Sequence, residues 1–125
     1  MEKLTQSYED YLEAIVMLGG TEEVLVRSVD IAEKLGVSKV SVNKALAVLK
    51  KAGYIGQDPY CGIRLTASGF KYGSAILNKH TTIRNFLCNK VGISPEVADE
   101  EACLMEHVIS DSSFVKWVEF INKLD

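Results

Sequence analysis

No apolar run in this 125-residue sequence approaches the roughly 20 residues that cross a bilayer, and the charged opening MEKLTQSYED lacks the apolar stretch of a signal peptide. The expected location is therefore cytoplasmic, with no membrane partner. Cysteine is scarce: Cys61, Cys88 and Cys103 show no short repeated spacing, and an odd count suits a disulfide framework poorly. Reduced thiols are expected. A Gly-rich phosphate loop and an HExxH motif are both absent. An enzyme is accordingly not expected, although a metal beside a Glu and a His could activate water.

What is present is a strong segregation of charge. The formal net charge is −3, yet residues 27–90 hold eleven Lys or Arg against only Asp30, Glu33 and Asp58, an excess of eight. Residues 1–26 set one Lys against six acids, and residues 91–125 set two against eight. A basic middle suits phosphate and acidic ends suit cations, while an unevenly charged soluble surface would look the same. At 47% apolar, the chain suits one compact domain or two small ones.

SYEDYLEAIVML predicts a helix capped near Ser7, with Tyr8, Leu12, Ile15 and Tyr11 on its apolar side. Asp10 and Glu13 fall close together on the opposite side, as a solvated acidic face would. After GGTEE, VDIAEKLG predicts a second helix with Ser28 as N-cap, and Ser38 caps a third, KVSVNKALAVLKK, which ends at Gly53. Val42, Ala45, Leu46 and Leu49 share the inner stripe of that third helix. Two helices joined by a tight turn at Gly36 form the pattern of a helix-turn-helix. YIGQ and GIRLT, around the turn signal DPYCG, then read as a β-hairpin. Helix, turn, helix, hairpin is the order of a winged helix.

In that arrangement the start of the third helix enters the major groove of double-stranded DNA. Lys39 and Lys44 can meet phosphate or guanine, Ser41 and Asn43 can bond base edges, and the capping Ser38 lies beside them. Arg27 and Arg64 are placed as phosphate contacts, whereas Lys50 and Lys51 read as solvated charges.

Thr66 is expected to cap a long helix in which Tyr72, Ile76, Ile83 and Phe86 or Leu87 keep one side apolar, with His80 on the same side. Cys88 reads as packing. An acid-rich helix follows from Pro95 or Glu96, with Ala102, Met105, Val108 and Ile109 inward. Cys103, Glu106 and His107 then sit at i, i+3 and i+4, where thiolate, carboxylate and imidazole can converge on one cation. A helix face beside a buried thiol is the plainer alternative. The closing stripe of Phe114, Trp117, Val118, Ile121 and Leu124 reads as core or dimer interface.

SYEDYLEAI, DIAEKLGVSKVSVNKALAVLKKAGYI, GIRLTASG, KH in a long helix and EACLMEHVIS, in that order, resemble the diphtheria-toxin-repressor family of metal-dependent transcription repressors. The resemblance covers nearly the whole chain and is to the short, two-domain, manganese-repressor-like branch. It implies a mainly α fold, with a winged helix-turn-helix DNA-binding domain at 1–70 and a helical metal-binding and dimerisation domain at 71–125. It further implies a homodimer that binds operator DNA when a divalent metal is bound, and metal ligands at Asp10, Glu13, His80, Cys103, Glu106 and His107. Manganese-sensing relatives carry a carboxylate at the place of Cys103, and iron-sensing relatives carry Met at the place of Asp10. Arg84 stands where iron-sensing relatives have a carboxylate of an ancillary site. A thiolate favours Fe²⁺, Co²⁺ or Zn²⁺ over Mn²⁺, whereas Asp10, Glu13 and Glu106 supply the hard oxygen that Mn²⁺ accepts. The expected activator is Fe²⁺, with Mn²⁺ next and Zn²⁺ or Co²⁺ after. A winged-helix regulator answering to thiol oxidation or to a small organic ligand is the rival reading.

Overall fold

The computed structural model describes residues 3–58 and 62–124. The chain divides into two compact units, Met1–Ala75 and Ile76–Asp125.

The first unit holds α1 (Gln6–Met17), α2 (Ser28–Leu35), α3 (Lys39–Lys51) and a hairpin of β1 (Ile55–Asp58) and β2 (Gly62–Leu65), followed by the start of α4 (Ala67–Phe86). Its core gathers one stripe from each element: Leu12 and Ile15 of α1, Ile31 of α2, Val42, Leu46 and Leu49 of α3, and Ile55, Ile63 and Leu65 of the hairpin. The strands are antiparallel with Ile55 opposite Leu65 and Gln57 opposite Ile63. Val26 adds one more bridge to Ile63, so the chain enters α2 already extended. This explains why Ser28 is not the N-cap: that position falls to Arg27 in extended conformation, with Ser28 inside the first turn and no side-chain cap.

Between α2 and α3 the turn needs Gly36, whose backbone is left-handed (φ 66°), a conformation that costs other residues about 1–2 kcal/mol. Ser38 caps α3 as expected, its Oγ accepting from Ser41 N at 3.1 Å. Thr66 caps α4 through Gly69 N at 3.1 Å and also donates to Gly53 O at 2.7 Å, tying the end of α3 to the start of α4. The start of α1 departs from expectation. Its N-cap is Thr5, two residues before Ser7, and no side chain caps it. A contact distant in sequence fixes this end instead, because Tyr72 Oη accepts from Leu4 N at 2.9 Å and donates to the buried Glu9 carboxylate. The Pro59, Tyr60 and Cys61 of the expected turn lie outside the described residues.

The second unit holds the rest of α4, a π-helical turn at Leu87–Val91, α5 (Pro95–Met105) and α6 (Asp111–Asn122). Ile83, Leu87, Ala98, Ala102 and Phe114 form its core, with Cys88, Met105, Ile109, Trp117 and Val118 packed against it. Ser94 and Ser110 cap α5 and α6. Helix α5 stops at Met105, so Glu106 and His107 lie in the turn that follows it. Here Lys79 Nζ donates to Ile109 O at 2.9 Å and pairs with Asp111 at 2.7 Å, which draws the α5–α6 connection onto α4. Val108 is therefore not inward as its spacing predicts; it is 78% exposed. Ile121 is half-buried and Leu124 lies beyond the end of α6, exposed. No helix among the described residues is long and apolar enough to cross a membrane.

Candidate metal centre and DNA-binding helix

In the second unit α4 and the end of α5 bring four of the expected ligands together. His80 follows Ile76 and precedes Ile83, both buried, so the core draws its ring inward, and its side chain is 13% exposed. Glu106, just past α5, is only 2% exposed. Its two carboxylate oxygens face two imidazoles: His80 Nδ1 lies 3.2 Å from Oε2, and His107 Nε2 lies 3.3 Å from Oε1. Cys103, half-buried one turn earlier on α5, brings its Sγ within 4.8 Å of the same carboxylate.

A carboxylate out of water costs several kcal/mol unless positive charge or hydrogen bonds replace its hydration. His80 Nδ1 is itself buried and makes no hydrogen bond, although it faces Glu106 closely. Nitrogen and sulfur donors each close to one buried carboxylate, with one ring nitrogen left unsatisfied, fit a divalent transition metal. Cys103, Glu106, His80 and His107 would contribute to holding it.

Two more expected ligands belong to the first unit. Asp10 and Glu13 both lie on α1, Asp10 half-buried and Glu13 7% exposed. The acidic side of α1 is thus not a solvated face as its spacing alone would suggest, and Glu9 on the same helix is buried as well. Sequence reasoning passed over Asp99, whose Oδ1 lies 2.8 Å from His80 Nε2 and 3.6 Å from Arg84 Nε. The signal available was its spacing, one helical turn before Cys103 on α5.

The helix-turn-helix presents the expected nucleic-acid residues outward. Lys39, Ser41, Asn43 and Lys44 are exposed on α3, with Val40 beside them. The Ser38 hydroxyl is engaged at the cap, accepting from Ser41 N and donating to Ser41 Oγ at 3.0 Å. Arg27 and Arg64 are both engaged by carboxylates. Arg27 forks onto Asp30 at 3.0 and 3.2 Å, which raises its already high pKa, chiefly through that hydrogen bond. Arg64 pairs with Asp58 across the hairpin. Exposed pairs of this kind contribute little, so a phosphate can displace them.

This layout, a winged helix followed by a helical unit with N and S donors around a buried carboxylate, fits a metal-responsive DNA-binding protein. Comparison with known families agrees. Residues 3–63 match the N-terminal DNA-binding domain of the iron dependent repressors, and residues 66–125 match their metal binding and dimerisation domain. The chain belongs to the iron dependent repressor family, whose members are metal-dependent transcription repressors. It is 34% identical over 120 residues to an HTH-type transcriptional regulator of Methanocaldococcus jannaschii, covering 96% of each chain. To the transcriptional regulator MntR of Escherichia coli it is 38% identical over 116 residues, covering 92% of this chain and 73% of that one. The solved structure of the manganese regulator SloR superposes with a TM-score of 0.81 at 30% identity, covering 97% of this chain. The chain spans 56% of the SloR chain's own length.

Proposed function

We propose that the protein, as a homodimer, represses transcription by gripping double-stranded operator DNA when Mn²⁺ or Fe²⁺ is bound. In this reading residues 1–70 bind DNA and residues 71–125 bind metal and dimerise. The observation that carries it is the burial of Glu106 between two imidazoles, in a chain whose two halves match a DNA-binding and a metal-binding domain. His80, Cys103, Glu106 and His107 serve as ligands, and Asp10 and Glu13 complete the set. A bound cation would supply the positive charge these carboxylates need, and binding it would shift the population toward the spacing of recognition helices that fits the operator.

Lys39 and Lys44 then meet phosphate or guanine at the major groove, where Ser41 and Asn43 bond base edges beside the capping Ser38, with Arg27 and Arg64 against phosphate. The name of SloR favours manganese by kinship; Cys103 pulls toward Fe²⁺, Co²⁺ or Zn²⁺. The test is operator binding by chelated, reduced protein titrated with each metal. Wild type should tighten on adding metal, and Glu106→Ala should not. Equal tightening in both would refute the ligand role, and binding that follows oxidants rather than metal would favour a thiol switch.

A further inference from the structure

We propose that Asp99 is a positioning residue: held between His80 and Arg84, its carboxylate fixes the His80 proton on Nε2 and reserves Nδ1 for the metal. The inference rests on the metal reading above and adds a residue to it.

The geometry is specific. Asp99 Oδ1 stands 2.8 Å from His80 Nε2, and an ionised carboxylate can only accept, so Nε2 carries the proton. Nδ1 is then a bare lone pair, and it faces Glu106 Oε2 at 3.2 Å without a hydrogen bond. Two lone pairs at that distance repel unless a cation stands between them, which is the state a metal ligand needs. A carboxylate on the far nitrogen of a ligating imidazole sets its tautomer and ring orientation and raises its basicity.

Arg84 explains why Asp99 serves this role rather than ligating a metal itself. His80 and Arg84 are one turn apart on α4, so both reach the same carboxylate, with Arg84 Nε 3.6 Å from Oδ1. The permanent guanidinium charge already places a cation beside the Asp99 carboxylate, so no second metal ion is needed there. Asp99 in turn precedes Cys103 by four residues on α5, so one helix face carries both a ligand and the group that orients another.

The test uses the full-length chain, ¹⁵N-labelled and chelated, with imidazole nitrogen NMR followed by Co²⁺ titration. Wild type should show His80 as one tautomer, protonated at Nε2. In Asp99→Asn the amide can offer either its oxygen or its NH₂ to Nε2, so the proton should divide between the two nitrogens. Co²⁺ affinity should fall on the order of 10–100-fold with the same number of ions per chain. Asp99→Ala should behave alike, and thermal melting confirms that both variants fold. A single Nε2–H tautomer in Asp99→Asn at undiminished affinity would overturn the proposal, as would the loss of one Co²⁺ equivalent, which would make Asp99 a ligand. Failure of wild type to bind Co²⁺ at all would instead remove the metal reading, and this inference with it.

Discussion

At the scale of single residues the chemistry turns on which atoms are offered to a cation and which are kept from water. Cys103 offers a soft donor beside the buried Glu106 in the second unit, and a thiolate biases a site toward metals softer than Mn²⁺. Replacing it by Glu should therefore shift relative preference toward Mn²⁺ against Co²⁺ by about tenfold, roughly 1.4 kcal/mol, in a competitive titration. An unchanged ratio would show that the thiol only packs. Tyr72 illustrates a different use of burial. Its phenol is pushed well above the ordinary tyrosine range, first by desolvation and then by the hydrogen bond it donates to Glu9. The folded state thus holds this proton more tightly than the unfolded chain does. Its contribution is complete below the unfolded pKa of about 10 and is lost as pH rises beyond it. The stability gap between wild type and Tyr72→Phe, followed by urea unfolding, should be constant near neutrality and narrow above about pH 10. A gap independent of pH would mean that the hydroxyl contributes nothing through its proton.

Among the elements, those specified locally are legible in the sequence and those specified across the fold are not. Helix α3 is the clearest: Ser38 at the cap, Val42, Ala45, Leu46 and Leu49 at helical spacing and a glycine just past the end define it without help. The start of α1 and the end of α5 depend on Tyr72, 68 residues from Leu4, and on Lys79, 30 residues from Ile109. No local pattern announces either, so Ser7 misleads as a cap and Val108 as a core residue. Around the candidate site, the closeness of Cys103 and of His107 to Glu106 is readable from spacing, whereas that of Asp99 to His80 requires the approach of α4 to α5. Two elements carry predictions of their own. A Cβ on Gly69 of α4 would stand 1.9 Å from the carbonyl oxygen of Tyr54, which already accepts from Thr66 N. That backbone cannot retreat without breaking the joint between hairpin and helix. Gly69→Ala should lower stability by about 1–3 kcal/mol, read as an earlier denaturant midpoint at an unchanged slope. On α3, Lys44→Ala should weaken binding evenly across DNA sequences and reduce the salt slope by about 1, as loss of a phosphate contact requires. A change confined to one base position would reassign Lys44 to base reading.

Taken as a whole molecule, the protein joins two units of unequal self-sufficiency. The first has a broad core of fully buried branched side chains drawn from three helices and a hairpin. The second rests on a few large residues and two alanines, and encloses a carboxylate and two imidazoles next to them. A unit built this way gains from anything that binds only its folded form. A site saturated to about 100 times its Kd adds about 2.7 kcal/mol. Calorimetry with chelator and then with Mn²⁺ should therefore raise the wild-type melting temperature, with the gain growing logarithmically in free metal. Glu106→Gln keeps the shape of the side chain and removes its charge, so it should melt near chelated wild type and gain little from Mn²⁺. A metal-dependent rise of wild-type size in that variant would show that the buried carboxylate serves the fold alone, and that the cation is held elsewhere.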